Sequence, residues 1–240
     1  MAALEHVRDA LRAVATQERA KANAWFFKTG PGQYGEGDQF LGITVPQQRA
    51  IAKKYYKTLS LNSVEQLLHS PWHEERLTAV FMLVLIFQKG DEFKKDQIAN
   101  LYLANTRNIN NWDLVDSSAS YILGPFLENN PYKMKLLTKL ARSKLIWERR
   151  IAMLATLYYI MQGSASEAFA IIEILKNDQH DLIQKAVGWM LREIGKRVDR
   201  QLLVAFLNEN TATMPRTSLR YAIEHFSSTE RAVFMGKVVK

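Results

Sequence analysis

With 240 residues, of which 48% are hydrophobic and 23% charged, the sequence has the composition of a globular protein that buries a large core, which excludes disorder as its default state. The absence of cysteine excludes disulfides, thiolate metal sites and a cysteine nucleophile, and it fits a reducing compartment. A formal net charge of +8 favours an acidic partner.

The first predicted element is an amphipathic helix. Apolar residues recur at intervals of three and four, at Leu4, Val7, Leu11 and Val14. This spacing places them on one helical face. Acidic residues interrupt the segment, so we expect no signal or transit peptide and a cytoplasmic location, associated with the nucleoid in a bacterium.

The most apolar run, Leu77 to Phe87, is shorter than the roughly 20 residues of a membrane span, so we expect a core helix and no membrane partner.

The segment 28–42 breaks the helical pattern. Four glycines fall within eight residues, at Gly30, Gly32, Gly35 and Gly37. Such a density predicts a loop. The segment lacks the G-K-[ST] ending of a phosphate-binding loop and no strand precedes it, so we expect no nucleotide cofactor.

Ser70 and Pro71 predict the start of a helix, with a capping hydroxyl, a proline in the first turn and two glutamates following. His69 and His73 are four residues apart, but the proline lies between them, so we do not expect them to share a helical face. A structural or surface role is therefore favoured over a metal site for both histidines.

A coarse repeat runs through the rest of the chain. Apolar helices begin at Pro71, Asn111, Leu145 and Asp181, which are 40, 34 and 36 residues apart. Partner helices are predicted at 132–140 and 167–175, and a closing helix at 216–226. HEAT-type helix pairs repeat at about 40 residues. The sequence thus predicts an all-α fold and a single domain, 1–240. This domain is a HEAT-like superhelix (solenoid) with a concave basic face, in which N-terminal helices and the loop (1–42) precede the repeats (43–240).

The positive charge is concentrated between Tyr132 and Arg150. This stretch contains one acid and seven basic residues, namely Lys133, Lys135, Lys139, Arg142, Lys144, Arg149 and Arg150. Arginine forks onto phosphate oxygens or a carboxylate, so Arg149 and Arg150 predict either DNA contacts or salt bridges to a neighbouring repeat. A solvated helix face is the other interpretation of the whole stretch.

Two further patterns combine aromatic and charged residues. Trp112 and Asp116 are four residues apart on one predicted helical face, which Asn110 or Asn111 can cap. The alternative is a core tryptophan with a surface or capping aspartate.

A basic and aromatic stripe follows at Lys185, Trp189, Arg192 and Lys196. Cations flanking an aromatic plane suit a nucleic-acid backbone, and the alternative is an exposed basic face with a half-buried tryptophan.

Equivalent helices of a solenoid line the same wall. We therefore expect Trp112, Asp116, Arg150 and Trp189 to converge in one cleft.

These motifs together resemble the AlkD-type DNA alkylation repair glycosylases. The likeness extends over nearly the whole chain, through FFKTGPGQYGEGDQFLG, NWDLVD, W-x-R-R-x-A (Trp147 to Ala152) and QKAVGW. The resemblance implies a HEAT-type superhelix that grips duplex DNA and excises N3-methyladenine and N7-methylguanine. Trp112, Asp116 and Trp189 match the family's active-site residues, and Arg150 matches an arginine that approaches the DNA backbone near the lesion. The glycine-rich loop is longer than in the best-known member.

The predicted function is a DNA glycosylase of base excision repair, which hydrolyses the N-glycosidic bond of positively charged N3- or N7-alkylated purines. No cofactor or metal is predicted, and we expect a monomer that acts on duplex DNA. The predicted DNA-binding residues are Lys144, Arg149, Lys185, Arg192 and Lys196. The alternative is a non-catalytic HEAT-repeat scaffold that binds DNA or docks a protein, and a metal nuclease using Asp113 and Asp116 is a third possibility.

Overall fold

The computed structural model describes residues 2–236, and its regular secondary structure is helical throughout that range. One isolated bridge joins Gln39 and Trp72. The all-α class is therefore confirmed, whereas the superhelical arrangement and its concave basic face stay predictions. Within the described part of the chain, no helix combines the length and apolarity that crossing a membrane requires.

The chain divides into two compact units, here called unit 1 (Met1–Ile122) and unit 2 (Leu123–Lys240). The single-domain organisation stays a prediction. Unit 1 contains α1 (Ala2–Arg12), α2 (Gln17–Phe26), α3 (Val45–Tyr55), α4 (Leu61–Leu68), α5 (His73–Lys89), α6 (Glu92–Ala104) and α7 (Trp112–Asp116). Helix α8 (Ala119–Phe126) spans the boundary in sequence. Unit 2 contains α9 (Lys133–Ala141), α10 (Ile146–Ala155), α11 (Leu157–Met161), α12 (Ser166–Leu175), α13 (Asp181–Arg197), α14 (Arg200–Asn210), α15 (Arg216–Ala222) and α16 (Ser228–Phe234).

Both units are built from neighbouring helices that bury one another's apolar faces. In unit 1, α5 packs against α3, α4 and α6. Its predicted core run, Leu77 to Phe87, is buried except at Val84, Leu85 and Ile86, which are half-buried. In unit 2, α13 packs against α10, α14 and α15. Leu4, Val7 and Leu11 are buried as the spacing predicts, but Val14 lies beyond the end of α1. The period of the apolar residues therefore predicted the buried faces better than it predicted the helix ends.

Two predicted helices are each divided in two. The helix starting at Asn111 separates into α7 and α8 at Ser118, whose buried hydroxyl donates to the carbonyl of Leu114 at 2.6 Å. The helix starting at Leu145 separates into α10 and α11 at Thr156, whose hydroxyl donates to the carbonyl of Met153 at 2.6 Å. Hydroxyl side chains compete for backbone carbonyls in this way, which bends or interrupts a helix.

Helix α5 begins at His73, two residues later than Ser70 and Pro71 predict. The backbone N–H of Gln39 donates to the carbonyl of Pro71 at 3.4 Å, and the N–H of His73 donates to the carbonyl of Gln39 at 2.8 Å. Because the loop pairs with this segment as a bridge, residues 71–72 remain extended instead of entering the helix. A long-range contact of this kind leaves no local signal in the sequence.

The glycine-rich segment is a loop, as predicted, and it is held by Glu74. This carboxylate is 1% exposed and accepts backbone N–H groups from Leu41 at 2.9 Å, Gly42 at 2.9 Å and Ile43 at 3.2 Å. Gly42 has φ +84°, and a Cβ there would lie 2.0 Å from the carbonyl oxygen of Thr16. The loop therefore closes on the helices by backbone contacts that only glycine permits.

Gly188 sets the packing of α13 against α15, because a Cβ there would lie 2.3 Å from the backbone oxygen of Ser218. We expect Gly188→Ala to lower the free energy of unfolding by about 1 to 3 kcal/mol, since the clash outweighs the gain in helix propensity. Urea unfolding measures the change. A matched control is Gly163→Ala, where φ is +88° but no heavy atom lies within 4 Å, so only backbone strain contributes. A Gly188→Ala variant as stable as the wild type would contradict the tight helix contact.

Candidate functional site

A cavity of about 480 Å³ in unit 1 contains both Trp112 and Asp116 in its wall. Helices α2, α3, α5 and α7 contribute to it. Its other charged and aromatic lining residues include Arg19, Phe26, Phe27, Arg49, Asp113 and Tyr121. The structure therefore brings together the indole and the carboxylate that the sequence places on one helical face.

Trp112 starts α7 and is half-buried. Asn111 is the residue that caps the helix, since its Oδ1 accepts the backbone N–H of Trp112 at 2.8 Å. The indole stacks on Phe27, with ring centres 5.3 Å apart and planes 21° apart, and it meets the ring of Phe26 edge-on at 6.0 Å. The residue thus packs against neighbouring rings and lines the cavity as well, which combines the two interpretations of its sequence pattern.

Asp116 is the last residue of α7 and is half-buried. Burial of the phenol raises the pKa of Tyr102, and the negative charge of Asp116 raises it further. The end of a helix carries partial negative charge, so a carboxylate there gains nothing from the helix dipole. The position of Asp116 is therefore not explained by helix stability.

Beside this cavity, a chain of ionised groups joins the glycine-rich loop to α5 and α7. The Nδ1 of His73 bonds Asp38 at 3.1 Å and its Nε2 bonds Asp113 at 2.8 Å. Arg76 donates to the other oxygen of Asp38 at 2.5 Å, and Asn111 donates to the first at 3.2 Å. The structural role favoured for His73 agrees with this position, but no feature of the sequence links residues 35 to 75 positions apart.

His73 is 2% exposed, and both ring nitrogens face carboxylates, which requires the doubly protonated imidazolium. Burial by itself lowers the pKa of His73, but the charges and hydrogen bonds of Asp113 and Asp38 outweigh it and raise the pKa to about 9. Burial likewise opposes ionisation of Asp38, yet His73 and Arg76 hold the pKa of that carboxyl below its usual range. Among residues 2–236, no group of three or more histidine, aspartate or glutamate side chains is arranged to hold a metal ion.

Arg150 and Trp189 belong to unit 2, so their convergence with Trp112 and Asp116 stays a prediction. Arg150 is 5% exposed, and its Nη1 donates to the carbonyl of Leu182 at the start of α13. The neighbouring Arg149 donates to Asp178 at 2.7 Å and to the carbonyl of Ser143 at 3.1 Å. Arg149 therefore makes the salt bridge that was its alternative interpretation, and its contact with DNA remains a prediction.

The basic stripe on α13 is accompanied by acids that the sequence analysis did not include. Trp189, which is half-buried, donates from Nε1 to Glu193 at 3.3 Å. Lys185 pairs with Asp181 at 3.0 Å, and Arg192 pairs with Glu224 of the turn after α15. Glu193 follows Trp189 by four residues, so its position was readable from the sequence. The net positive charge of this face is smaller than the four-residue stripe indicates.

Several cations stay exposed. Lys196 on α13 is exposed, and Lys144 lies exposed in the turn before α10. In the basic stretch, Lys133 pairs with Glu167 at 2.6 Å, while Lys139 and Arg142 are exposed. These positions retain the charge that phosphate binding requires.

The cavity also contains cations from outside the basic stretch. Arg49 of α3 lines it, with its guanidinium 4.0 Å from the centre of the Phe81 ring, and Arg19 of α2 lies in the same wall. Neither arginine was predicted from the sequence, because single arginines on separate helices give no local pattern.

The structure is thus a helical protein with a cavity that combines an indole, carboxylates and arginines. Residues 7–226 match the model of the DNA alkylation repair enzyme family. The chain therefore belongs to that family, and its role lies in the repair of alkylated DNA. No curated protein matches the sequence.

Among solved structures, the chain is similar to a predicted DNA alkylation repair enzyme from Enterococcus faecalis. The identity is 17%, the TM-score is 0.68, and the match covers 89% of this chain and 97% of that one. At this identity the likeness shows a shared fold.

Proposed function

We propose that the protein is a DNA glycosylase that hydrolyses the N-glycosidic bond of N3- or N7-alkylated purines in duplex DNA. The observation that carries the proposal is that Trp112 and Asp116 line one cavity of unit 1. Membership of the DNA alkylation repair enzyme family supports it by restricting the substrate to alkylated DNA.

The charge of the substrate explains why so few groups are needed. Cleavage of an ordinary N-glycosidic bond requires a general acid that protonates the leaving base. An N3- or N7-alkylated purine is already cationic, so the electron pair of the breaking C1′–N bond neutralises the base as it leaves. The remaining requirements are to stabilise the positively charged sugar and to add water at C1′.

Asp116 supplies a negative charge for both requirements. A carboxylate stabilises the developing oxocarbenium ion electrostatically and accepts a proton from the attacking water. Trp112 offers the face of an indole to a cation, an interaction that contributes about 1 to 2 kcal/mol when water is excluded. The stacking of Trp112 on Phe27 restricts the orientation of the indole.

The residues of unit 2 complete the proposal. Trp189 is the second aromatic group, and Arg150 orders the start of α13 through the carbonyl of Leu182 while acting near the DNA backbone. Lys144, Lys185, Lys196, Arg149 and Arg192 would hold phosphates. For Arg149, Lys185 and Arg192 this requires exchange of a carboxylate partner for a phosphate. Such exchange keeps each cation paired but leaves its carboxylate without that partner.

A time course of base release tests the function. Duplex DNA carrying methylated purines is incubated with the protein, and liberated bases are separated from the polymer, with and without a chelator. We expect free N3-methyladenine and N7-methylguanine in both arms, with the DNA strands left intact. Tight binding without release would support the non-catalytic scaffold instead. Strand cleavage that the chelator abolishes would support the metal nuclease.

A further inference from the structure

We propose that His73 is a positioning residue: held as a cation between Asp38 and Asp113, it fixes α7 and so determines where Trp112 and Asp116 lie in the cavity. The inference rests on the proposed function for its catalytic consequence. Its structural consequence can be measured without catalysis.

Helix α7 is too short to be stable by itself. It has five residues, and isolated helices shorter than about 12 residues are marginal in water. Its polar anchors run to one cluster: Asp113 bonds His73 at 2.8 Å, and the capping residue Asn111 bonds Asp38 at 3.2 Å. The candidate catalytic residues are the first and last of the same helix, so these two contacts contribute to the position of both.

Neighbouring aromatic rings also hold the imidazole of His73 in place. Phe27 and Phe40 lie with ring centres 4.8 Å and 4.7 Å from that of the imidazole. Phe27 in turn stacks on Trp112 at 5.3 Å. Phe27 and Phe40 also stack on each other, with ring centres 5.2 Å apart, so the three rings form one cluster that restricts the orientation of the imidazole. His73 therefore reaches α7 by two routes, through the carboxylate of Asp113 and through the ring of Phe27.

The charges in and around the cluster favour the imidazolium. The charged groups that bond His73 or line the same cavity are Asp38 of the loop, Glu74 of α5, Asp113 and Asp116 of α7, Arg19 of α2 and Arg49 of α3. Arg76 of α5 bonds Asp38. Asp38 and Asp113 are balanced by His73 and Arg76. Loss of the proton would leave an uncompensated buried negative charge and one ring nitrogen without a hydrogen to donate.

The direction of the pH effect follows. The pKa of His73 is raised to about 9, above its ordinary value of 6.5, so the ring is charged at neutral pH and loses its proton as the pH rises past 9. The link to Asp113 is fully present below pH 6.5 and is lost as the pH rises through 9. Base release by the wild type should therefore decrease above this pH.

The test compares the pH profile of single-turnover base release in three proteins, corrected for release without enzyme. The wild type should lose activity with a midpoint near pH 9. Asp113→Asn removes one of the two charges that raise the pKa, so its midpoint should fall by about one pH unit or more. His73→Phe retains an aromatic ring but no donor, and it should be about tenfold slower at neutral pH, because Trp112 and Asp116 are less well positioned, with no such midpoint.

Two controls separate positioning from general damage. Duplex affinity of His73→Phe should stay within about threefold of the wild type, because phosphate contacts supply most of the affinity. His69→Phe, which removes a bond of 2.6 Å to Asn105 in the same unit, should leave both rate and profile unchanged. A wild-type midpoint that Asp113→Asn does not move would overturn the proposal.

A second readout does not depend on activity. The indole N–H signal of Trp112, followed by nuclear magnetic resonance, should shift with the midpoint of His73 in the wild type and with the lower midpoint in Asp113→Asn. The signal of Trp189 should show neither transition. If no base is released but the Trp112 signal behaves this way, the proposed function fails and the positioning role stands. An indole signal of Trp112 that is constant across the titration contradicts the positioning role, whatever the activity.

Discussion

Replacing Asp116 by asparagine is expected to slow base release from methylated duplex DNA by at least about 100-fold, while duplex affinity changes by less than about threefold. The substitution conserves size and the ability to accept a hydrogen bond, so it removes the negative charge and the proton-accepting capacity selectively. Both are required in the proposed reaction only once the C1′–N bond breaks. Binding of the intact duplex does not use them.

The effect on stability separates catalysis from folding. Asp116 ends α7, where the helix dipole does not favour an anion, so loss of the charge costs the helix itself nothing. Urea unfolding of Asp116→Asn measures any remaining effect on the fold and accompanies the rate measurement. Asp96→Asn in the exposed part of α6 is the matched control and should leave rate and stability unchanged. Release of N7-methylguanine by the Asp116 variant at the wild-type rate would show that the carboxylate has no catalytic role.

Glu74→Ala is expected to lower the free energy of unfolding by about 3 to 5 kcal/mol. The carboxylate is 1% exposed and receives three backbone N–H groups from residues 41–43. With the oxygens removed, these donors remain buried beside the empty volume of the side chain. Glu74→Gln retains one carbonyl oxygen, so about 1 to 3 kcal/mol is expected for it.

Urea unfolding of the two variants, followed by circular dichroism, gives the free energies by linear extrapolation. Glu92→Gln is the control, since Glu92 lies in the first turn of α6 with a side chain that is 89% exposed, and its effect should be within about 0.5 kcal/mol. If Glu74→Ala unfolds at the same urea concentration as the wild type, the loop is not held by this carboxylate.

Glu74 also shows why part of the molecule was not readable from its sequence. Its place in the first turn of a helix is a correct prediction, and an exposed glutamate there would be unremarkable. The structure buries it because a loop more than thirty residues earlier delivers three N–H groups to it. The two acids beside the α13 stripe differ in whether the sequence could predict them. Glu193 was predictable because it follows Trp189 by four residues on the same helix. Glu224 was not, because it is brought to Arg192 by the packing of α13 against α15.

The sequence by itself determined the helical class, the buried faces of α1 and α5, the loop at 28–42 and the shared face of Trp112 and Asp116. Each depends on spacing within a few turns of chain, where local geometry decides which side chains lie together. Only the tertiary structure decided that Asp38, His73 and Asp113 form one ionised chain, and that Arg19 and Arg49 reach the cavity of Trp112. Those contacts join separate helices, and a buried charge becomes favourable only when its partner has been brought to it.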